Sequence, residues 1–214
     1  FFWDEEKGAY IDSFTSGKRN VTRHANIFAI LFDIADKQKQ EKILKNVLEN
    51  DEIPAITTPY FNFFELDVLC RMGKLTEVLD KIRSYWGGML DLGAVTFWEE
   101  YDPSVPKEKQ YDMYGDHFGK SLCHAWAASP IYFLAKYFTG LDLVNKDGVT
   151  YILKPQMQYF TELDCTLPVG SNGVVRLVWD GEILEITPNA DGGILELGEQ
   201  KLSLVRGETR RVKI

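Results

Sequence analysis

The chain has 214 residues, 45% of them hydrophobic, and a formal net charge of −8. A chain of this size can bury one sizeable core or two smaller ones. Its acidic balance and the lack of a basic stripe argue against nucleic acid as a partner, whereas a neutral small molecule remains compatible. No run of about 18 apolar residues occurs, so the sequence predicts no membrane span.

The first ten residues, FFWDEEKGAY, contain no initiator Met and no signal-like stretch, so we expect the chain to be a piece of a longer protein. That expectation leaves the cellular location open. Cys70, Cys123 and Cys165 show no CxxC spacing and are odd in number, which predicts free thiols rather than a disulfide framework. Cys70 and Cys123 lie in apolar helical patterns, so both are predicted to be buried.

Residues 1 to 146 have mainly helical patterns. Apolar spacing predicts helices in TRHANIFAILFDIADKQ, KQEKILKNVLEN, YFNFFELDVLCRMG, LTEVLDKIRSYW and KSLCHAWAASPIYFLAKYFTG. Gly73 is expected to end the third helix, and Gly87 with Gly88 the fourth. The fifth is apolar on most faces, which predicts burial. Short turns and longer loops alternate between the helices, a layout typical of stacked helical hairpins whose loops carry chemistry.

Residues 147 to 214 have strand patterns instead. The runs VTYILKP, TELDCTLPV, GVVRLVWDGEILEITP, GGILELG and RRVKI alternate in polarity or are rich in β-branched residues. Asp180 and Gly181 separate two such runs and predict a hairpin with a type I′ turn. We therefore expect a helical domain over residues 1–146 and a small antiparallel sheet or sandwich over 147–214, with the boundary in the segment NKDG at 145–148.

The loop GAVTFWEEYDPS, residues 93–104, has the strongest potential for chemistry. In it, Glu99 and Glu100 directly follow Trp98, after the helical pattern has stopped. A carboxylate beside an aromatic ring loses contact with water, and its charged form is disfavoured unless hydrogen-bond donors lie near it. The indole N–H of Trp98 and the imidazole of His124 are among the available donors. The alternative is that both acids are solvated loop residues.

His124, in SLCHAWAASP, has two interpretations. It could donate to a sugar hydroxyl or orient a carboxylate, or it could be a core histidine bonded to a backbone carbonyl. His24 and His117 have no spacing to cysteines or acids that suggests a metal site. The sequence also contains no Gly-rich phosphate loop and no GxSxG elbow. These residues favour carbohydrate chemistry without a metal or cofactor, although a fold alone does not establish a function.

Three segments, FFWDEEKGAYIDSF, GGMLDLGAVTFWEEYD and SLCHAWAASP, resemble the bacterial α-L-rhamnosidases, in the order expected for that family. The resemblance implies the C-terminal part of an (α/α)6 toroid followed by a small β-sandwich. It also implies hydrolysis of terminal α-L-rhamnosides with inversion. Glu99 would then be the general base, with Glu100 as the alternative if the register slips by one, and His124 and Trp98 would contact the sugar. The resemblance leaves the role of Trp126 open.

The general acid of that family lies in an acidic motif upstream, and this sequence contains no such motif. Because inverting hydrolysis needs two carboxylates, we expect the 214-residue chain to be inactive by itself. We also expect it to self-associate through helical faces that nothing covers. The implied partners are rhamnose-containing glycosides or polysaccharides. Two other functions stay open: another toroid glycosidase or lyase, and a non-catalytic carbohydrate-binding module.

Overall fold

The computed structural model of the chain describes residues 1–144, 150–170 and 173–214. They form two compact units, Phe1–Ser129 and Pro130–Ile214. After a short hairpin at the start of the chain, helices come first and the other strands follow, broadly as the sequence predicts.

The segment NKDG, in which the sequence places the domain boundary, lies outside the described residues. The division into domains 1–146 and 147–214 therefore stays a prediction, as does a toroid. In the described part of the chain, no helix combines the length and the apolar character needed to cross a membrane.

The first unit consists of a short hairpin followed by helices. Its elements are β1 Trp3–Asp4, β2 Ala9–Tyr10, α1 Arg23–Leu31, α2 Lys37–Ile43, α3 Pro59–Arg71, α4 Leu75–Lys81 and α5 Gly87–Asp91. A π-helical turn, Leu44–Leu48, extends α2, and another, Ile82–Trp86, joins α4 to α5. The first four predicted helices are therefore present, whereas the opening hairpin, within the mainly helical residues 1–146, is not predicted by the sequence.

The prediction that Gly87 and Gly88 end the fourth helix is wrong. The chain stays helical to Asp91 and turns at Gly93, whose φ is 89°. Gly88 has a packing role instead, because a Cβ built there would lie 2.6 Å from Cε1 of Tyr101.

A buried acid, Glu65 of α3, connects three helices. Its Oε1 accepts hydrogen bonds from Nη1 of Arg23 in α1 at 2.9 Å and from Nζ of Lys81 in α4 at 2.6 Å. Arg23 also donates to the carbonyl of Leu48, at the end of the π-helical turn after α2. Burial lowers the pKa of Lys81, and the charge of Glu65 opposes that shift. These contacts form the buried ion cluster of Arg23, Glu65 and Lys81.

The predicted fifth helix, over residues 120–140, is present only in its second half. That half is a short helix α6, Ser129–Phe133, continued by a π-helical turn, Leu134–Phe138, and a separate 3₁₀ turn, Ala125–Ala127, precedes it. His124 is extended, with φ −124° and ψ 112°, and therefore lies on a loop rather than on a helix. Pro130 lacks an N–H and is tolerated only in the first turn of a helix, so α6 begins there. Cys123 is exposed, which contradicts its predicted burial, while Cys70 is buried in α3.

The described residues of the second unit form two four-stranded sheets. Its strands are β3 Asp142–Leu143, β4 Tyr151–Leu153, β5 Leu163–Val169, β6 Gly173–Trp179, β7 Ile183–Pro188, β8 Gly193–Leu197, β9 Gln200–Leu204 and β10 Arg210–Lys213. The strand orders are β10-β7-β6-β5 and β3-β4-β8-β9. Side chains of both sheets, among them Leu153, Leu177, Ile186 and Leu195, form one buried hydrophobic core. This is a sandwich, but β4 pairs with β8 in parallel, so the sheets are not entirely antiparallel as predicted.

The hairpin between β6 and β7 is present, but its predicted type I′ turn is wrong. That turn needs positive φ at both central residues. Gly181 has a φ of 96°, whereas Asp180 does not have a positive φ. The carboxylate of Asp180 instead accepts hydrogen bonds from the N–H groups of Glu182 and Ile183, at 2.9 and 2.7 Å.

Candidate active site

Backbone hydrogen bonds bring the acidic loop against the segment that contains His124. The amide of Glu99 donates to the carbonyl of Ser121 at 2.9 Å, and the amide of His124 donates to the carbonyl of Phe97 at 2.8 Å. Glu99 and His124 are therefore neighbours although they are distant in sequence. Glu99 is 8% exposed, so it is not the solvated loop residue of the alternative interpretation.

The carboxylate of Glu99 is held at both oxygens. Oε1 accepts a hydrogen bond from the hydroxyl of Tyr114 at 3.0 Å, and Oε2 accepts one from the amide of Ser121 at 3.1 Å. Nδ1 of His124 lies 3.9 Å from Oε2. The hydrogen bond to Glu99 raises the pKa of Tyr114. Because each carboxylate oxygen has two lone pairs, Glu99 can still accept a proton in this arrangement.

A half-exposed aromatic surface lies beside the carboxylate. The ring of Trp126 is 4.3 Å from that of His124 and 5.3 Å from that of Tyr60. Trp126 and Tyr60 are each 48% exposed. We call His124, Trp126 and Tyr60 the aromatic platform. A flat ring with one open face presents a large amphipathic surface for contact with a ligand.

Trp98 is not part of that platform. It is 3% exposed, and its ring packs 5.6 Å from the ring of Tyr111. In this structure Trp98 offers almost no surface to a ligand, and its contact with sugar stays a prediction.

Glu100 has a different environment from Glu99. Its Oε2 lies 3.9 Å from Nζ of Lys120, whose side chain is 4% exposed. Burial lowers the pKa of Lys120, and the charges of Glu100 and Asp102 oppose that shift. The carboxylate of Glu100 therefore compensates a buried ammonium group, whereas that of Glu99 faces neutral donors and an imidazole.

Three residues of the site were not found from the sequence: Tyr114, Ser121 and Lys120. Ser121 acts through its backbone amide, a group that every residue except proline has, so its residue type does not indicate this role. Tyr114 has a φ of 54°, and only the following glycine in YGD hints at a tight turn. The sequence predicts Trp98, Tyr101 and His124 as donors to the carboxylate, whereas the hydrogen bonds to Glu99 come from Tyr114 and Ser121.

The two described cavities of the first unit, of about 550 and 720 Å³, do not include Glu99. Within residues 1–144, 150–170 and 173–214, no group of three or more His, Cys, Asp or Glu side chains could hold a metal ion.

No protein-family model matches the chain, and no curated protein matches it significantly. Among solved structures, it is similar to a GH78 family rhamnosidase of Bacillus sp. GL1, with a TM-score of 0.72 and 24% identity. The match covers 92% of this chain and 21% of that one. The chain has a glycoside hydrolase-like fold. It spans about a fifth of the length of the rhamnosidase it matches.

A second solved structure, named provisionally as a kojibiose phosphorylase from the human microbiome, matches with a TM-score of 0.42 and 11% identity. That match covers 87% of this chain and 24% of the other. A TM-score this low adds nothing to the assignment of the fold.

Proposed function

We propose that the chain is part of an inverting α-L-rhamnosidase, in which Glu99 is the general base. The observation that carries the proposal is the buried carboxylate of Glu99 beside the imidazole of His124 and the half-exposed ring of Trp126. The resemblance of three sequence segments to that family and the likeness in fold to a rhamnosidase support it.

In the proposed reaction, Glu99 takes a proton from a water molecule. The water oxygen attacks the anomeric carbon on the face opposite the leaving group, the glycosidic bond breaks, and a general acid protonates the departing oxygen. In inverting enzymes the two carboxyl groups are roughly 6.5–9.5 Å apart, which leaves room for the water. Glu100 pairs with Lys120, so we assign the general acid to a part of the whole enzyme outside these 214 residues.

The test uses the full-length enzyme that contains this chain and an aryl α-L-rhamnoside. Glu99→Ala is expected to lower kcat by about 10²–10⁴-fold, the usual contribution of a general base. Azide carries no proton that must be removed, so it should restore turnover and give the inverted glycosyl azide. Glu100→Ala is the matched control, with a smaller effect that azide does not rescue. The proposal fails if Glu100→Ala abolishes turnover while Glu99→Ala does not.

A second function, that of a non-catalytic carbohydrate-binding module, is favoured by one observation, the aromatic platform. It predicts that the full-length protein binds L-rhamnose but does not hydrolyse rhamnosides, and that Glu99→Ala leaves binding unchanged. Titration of the protein with L-rhamnose, followed by NMR, together with the turnover assay distinguishes the two. Comparing aryl glycosides of different sugars in the same assay tests for another glycosidase.

A further inference from the structure

The tyrosine that contacts Glu99 lies in a tight turn that normally excludes bulky residues. Met113 and Asp116 exchange two backbone hydrogen bonds, both 2.9 Å long. Between them, Tyr114 and Gly115 have φ values of 54° and 82°. Positive φ at both central positions is the pattern of a type I′ turn, in which Asn, Asp or Gly is preferred. Gly115 satisfies this preference, but a bulky residue with positive φ is an outlier.

Packing of the tyrosine ring does not explain this conformation. Tyr114 is 82% exposed, so its ring buries little surface that could offset the strain. What the conformation does provide is the hydrogen bond from its hydroxyl to Oε1 of Glu99, at 3.0 Å. Backbone strain that nearby packing does not explain is concentrated at functional sites.

We infer that Tyr114 is a positioning residue that holds the carboxylate of Glu99 for proton transfer; its kinetic role rests on the proposed function. Tyr114 fixes Oε1 and the amide of Ser121 fixes Oε2, so the plane of the carboxylate is set by two separate segments. When a general base is already held in one orientation, less free energy is needed to align it with the attacking water, so the activation free energy is lower. Removal of the hydroxyl should therefore affect turnover more than substrate binding.

The contact can be tested without activity, on the 214-residue chain itself. The hydrogen bond to Glu99 raises the pKa of Tyr114, with a smaller contribution from the charge of Glu100. The other charged or titratable groups at these acids are Lys120, whose Nζ lies 3.9 Å from Oε2 of Glu100, and His124, whose Nδ1 lies 3.9 Å from Oε2 of Glu99. In Glu99→Ala, Tyr114 should deprotonate at a lower pH than in the unmodified chain, as measured from its ring ¹³C signals. Glu77→Ala, a change at an exposed acid of α4, should leave this titration unchanged. Equal midpoints in the unmodified chain and Glu99→Ala would overturn the inference.

The role can be tested in the full-length enzyme. Tyr114→Phe should lower kcat about tenfold with little change in KM, as expected for the loss of one hydrogen bond to a charged group. In the Glu99→Ala background with azide, where no base is needed, the same change should have no further effect. A purely structural role would lower the rate in both backgrounds, and that result would refute the inference.

Two other variants distinguish the effect of losing the hydroxyl of Tyr114 from the effect of changing the conformation of the turn. Tyr114→Gly fits the turn better, so it should melt at a temperature no lower than Tyr114→Phe while losing as much kcat. Tyr111→Phe removes a hydroxyl from the same loop and should keep the normal kcat. If the unmodified enzyme cleaves no rhamnoside, the proposed function fails, and the titration of Tyr114 alone decides the inference.

Discussion

Gly88→Ala tests whether the packing of Tyr101 against α5 holds the loop that carries Glu99. The new Cβ would lie 2.6 Å from Cε1 of Tyr101, whereas carbon atoms in contact are about 3.5–4.0 Å apart. The ring must therefore move by roughly 1 Å. Overpacking of this kind costs about 1–3 kcal/mol, while replacement of a helical glycine by alanine gains about 0.5–1 kcal/mol.

Gly87→Ala is the matched control, because no atom outside its chain neighbours and the backbone of its own helix lies within 4 Å of a Cβ at Gly87. It keeps the gain without the clash, so the two variants should differ by about 1–3 kcal/mol in the free energy of unfolding. Urea unfolding followed by helical circular dichroism measures the difference. The amide of Tyr101 donates a hydrogen bond to the hydroxyl of Tyr85 at 3.1 Å. Under the proposed function, displacement of this contact should also lower kcat of the full-length enzyme. Equal stabilisation by both alanines would refute the reasoning.

Four further predictions concern stability, binding, pH and association. Glu65→Leu leaves Arg23 and Lys81 buried without their counter-charge, so unfolding in urea should show a loss of about 3–5 kcal/mol; a loss below about 1 kcal/mol would contradict this. Under the proposed function, Trp126→Ala in the full-length enzyme should raise KM for a rhamnoside about tenfold, as expected for loss of a stacking surface worth about 1.4 kcal/mol; an unchanged KM would exclude the platform from binding. Burial lowers the pKa of Lys120 in the folded state below its usual value of 10.5, so the unfolded state binds the proton of Lys120 more tightly. The free energy of unfolding should therefore increase as the pH rises from the lowered pKa towards 10.5. Lys120→Met should reduce this increase, as measured by urea unfolding at a series of pH values. The chain alone should self-associate in light scattering, and a monomer at high concentration would contradict that expectation.

Local patterns in the sequence were sufficient for most elements. Helical spacing predicts α1 to α4, and apolar residues of these helices such as Ile27, Leu66 and Val78 are buried. Gly73, with a φ of 74°, ends α3 as expected. Alternating residues predict β5 to β8 because successive side chains of a strand point to opposite faces. The helix predicted for the segment before α6 is absent, because the apolar residues of that segment do not share one helical face. Its backbone instead bonds to another segment, as the amide of His124 does to the carbonyl of Phe97.

The sequence by itself determined the order of helices and strands and singled out Glu99 and His124 by residue type and surroundings. Only the tertiary structure decided that these two side chains lie 3.9 Å apart, that Tyr114 and Ser121 supply the donors, and that Trp98 is buried while Trp126 is open. Residue type and short-range spacing reflect forces that act within a few residues. The site is instead assembled by backbone hydrogen bonds and a strained turn between distant segments, and these depend on where the whole chain places each loop.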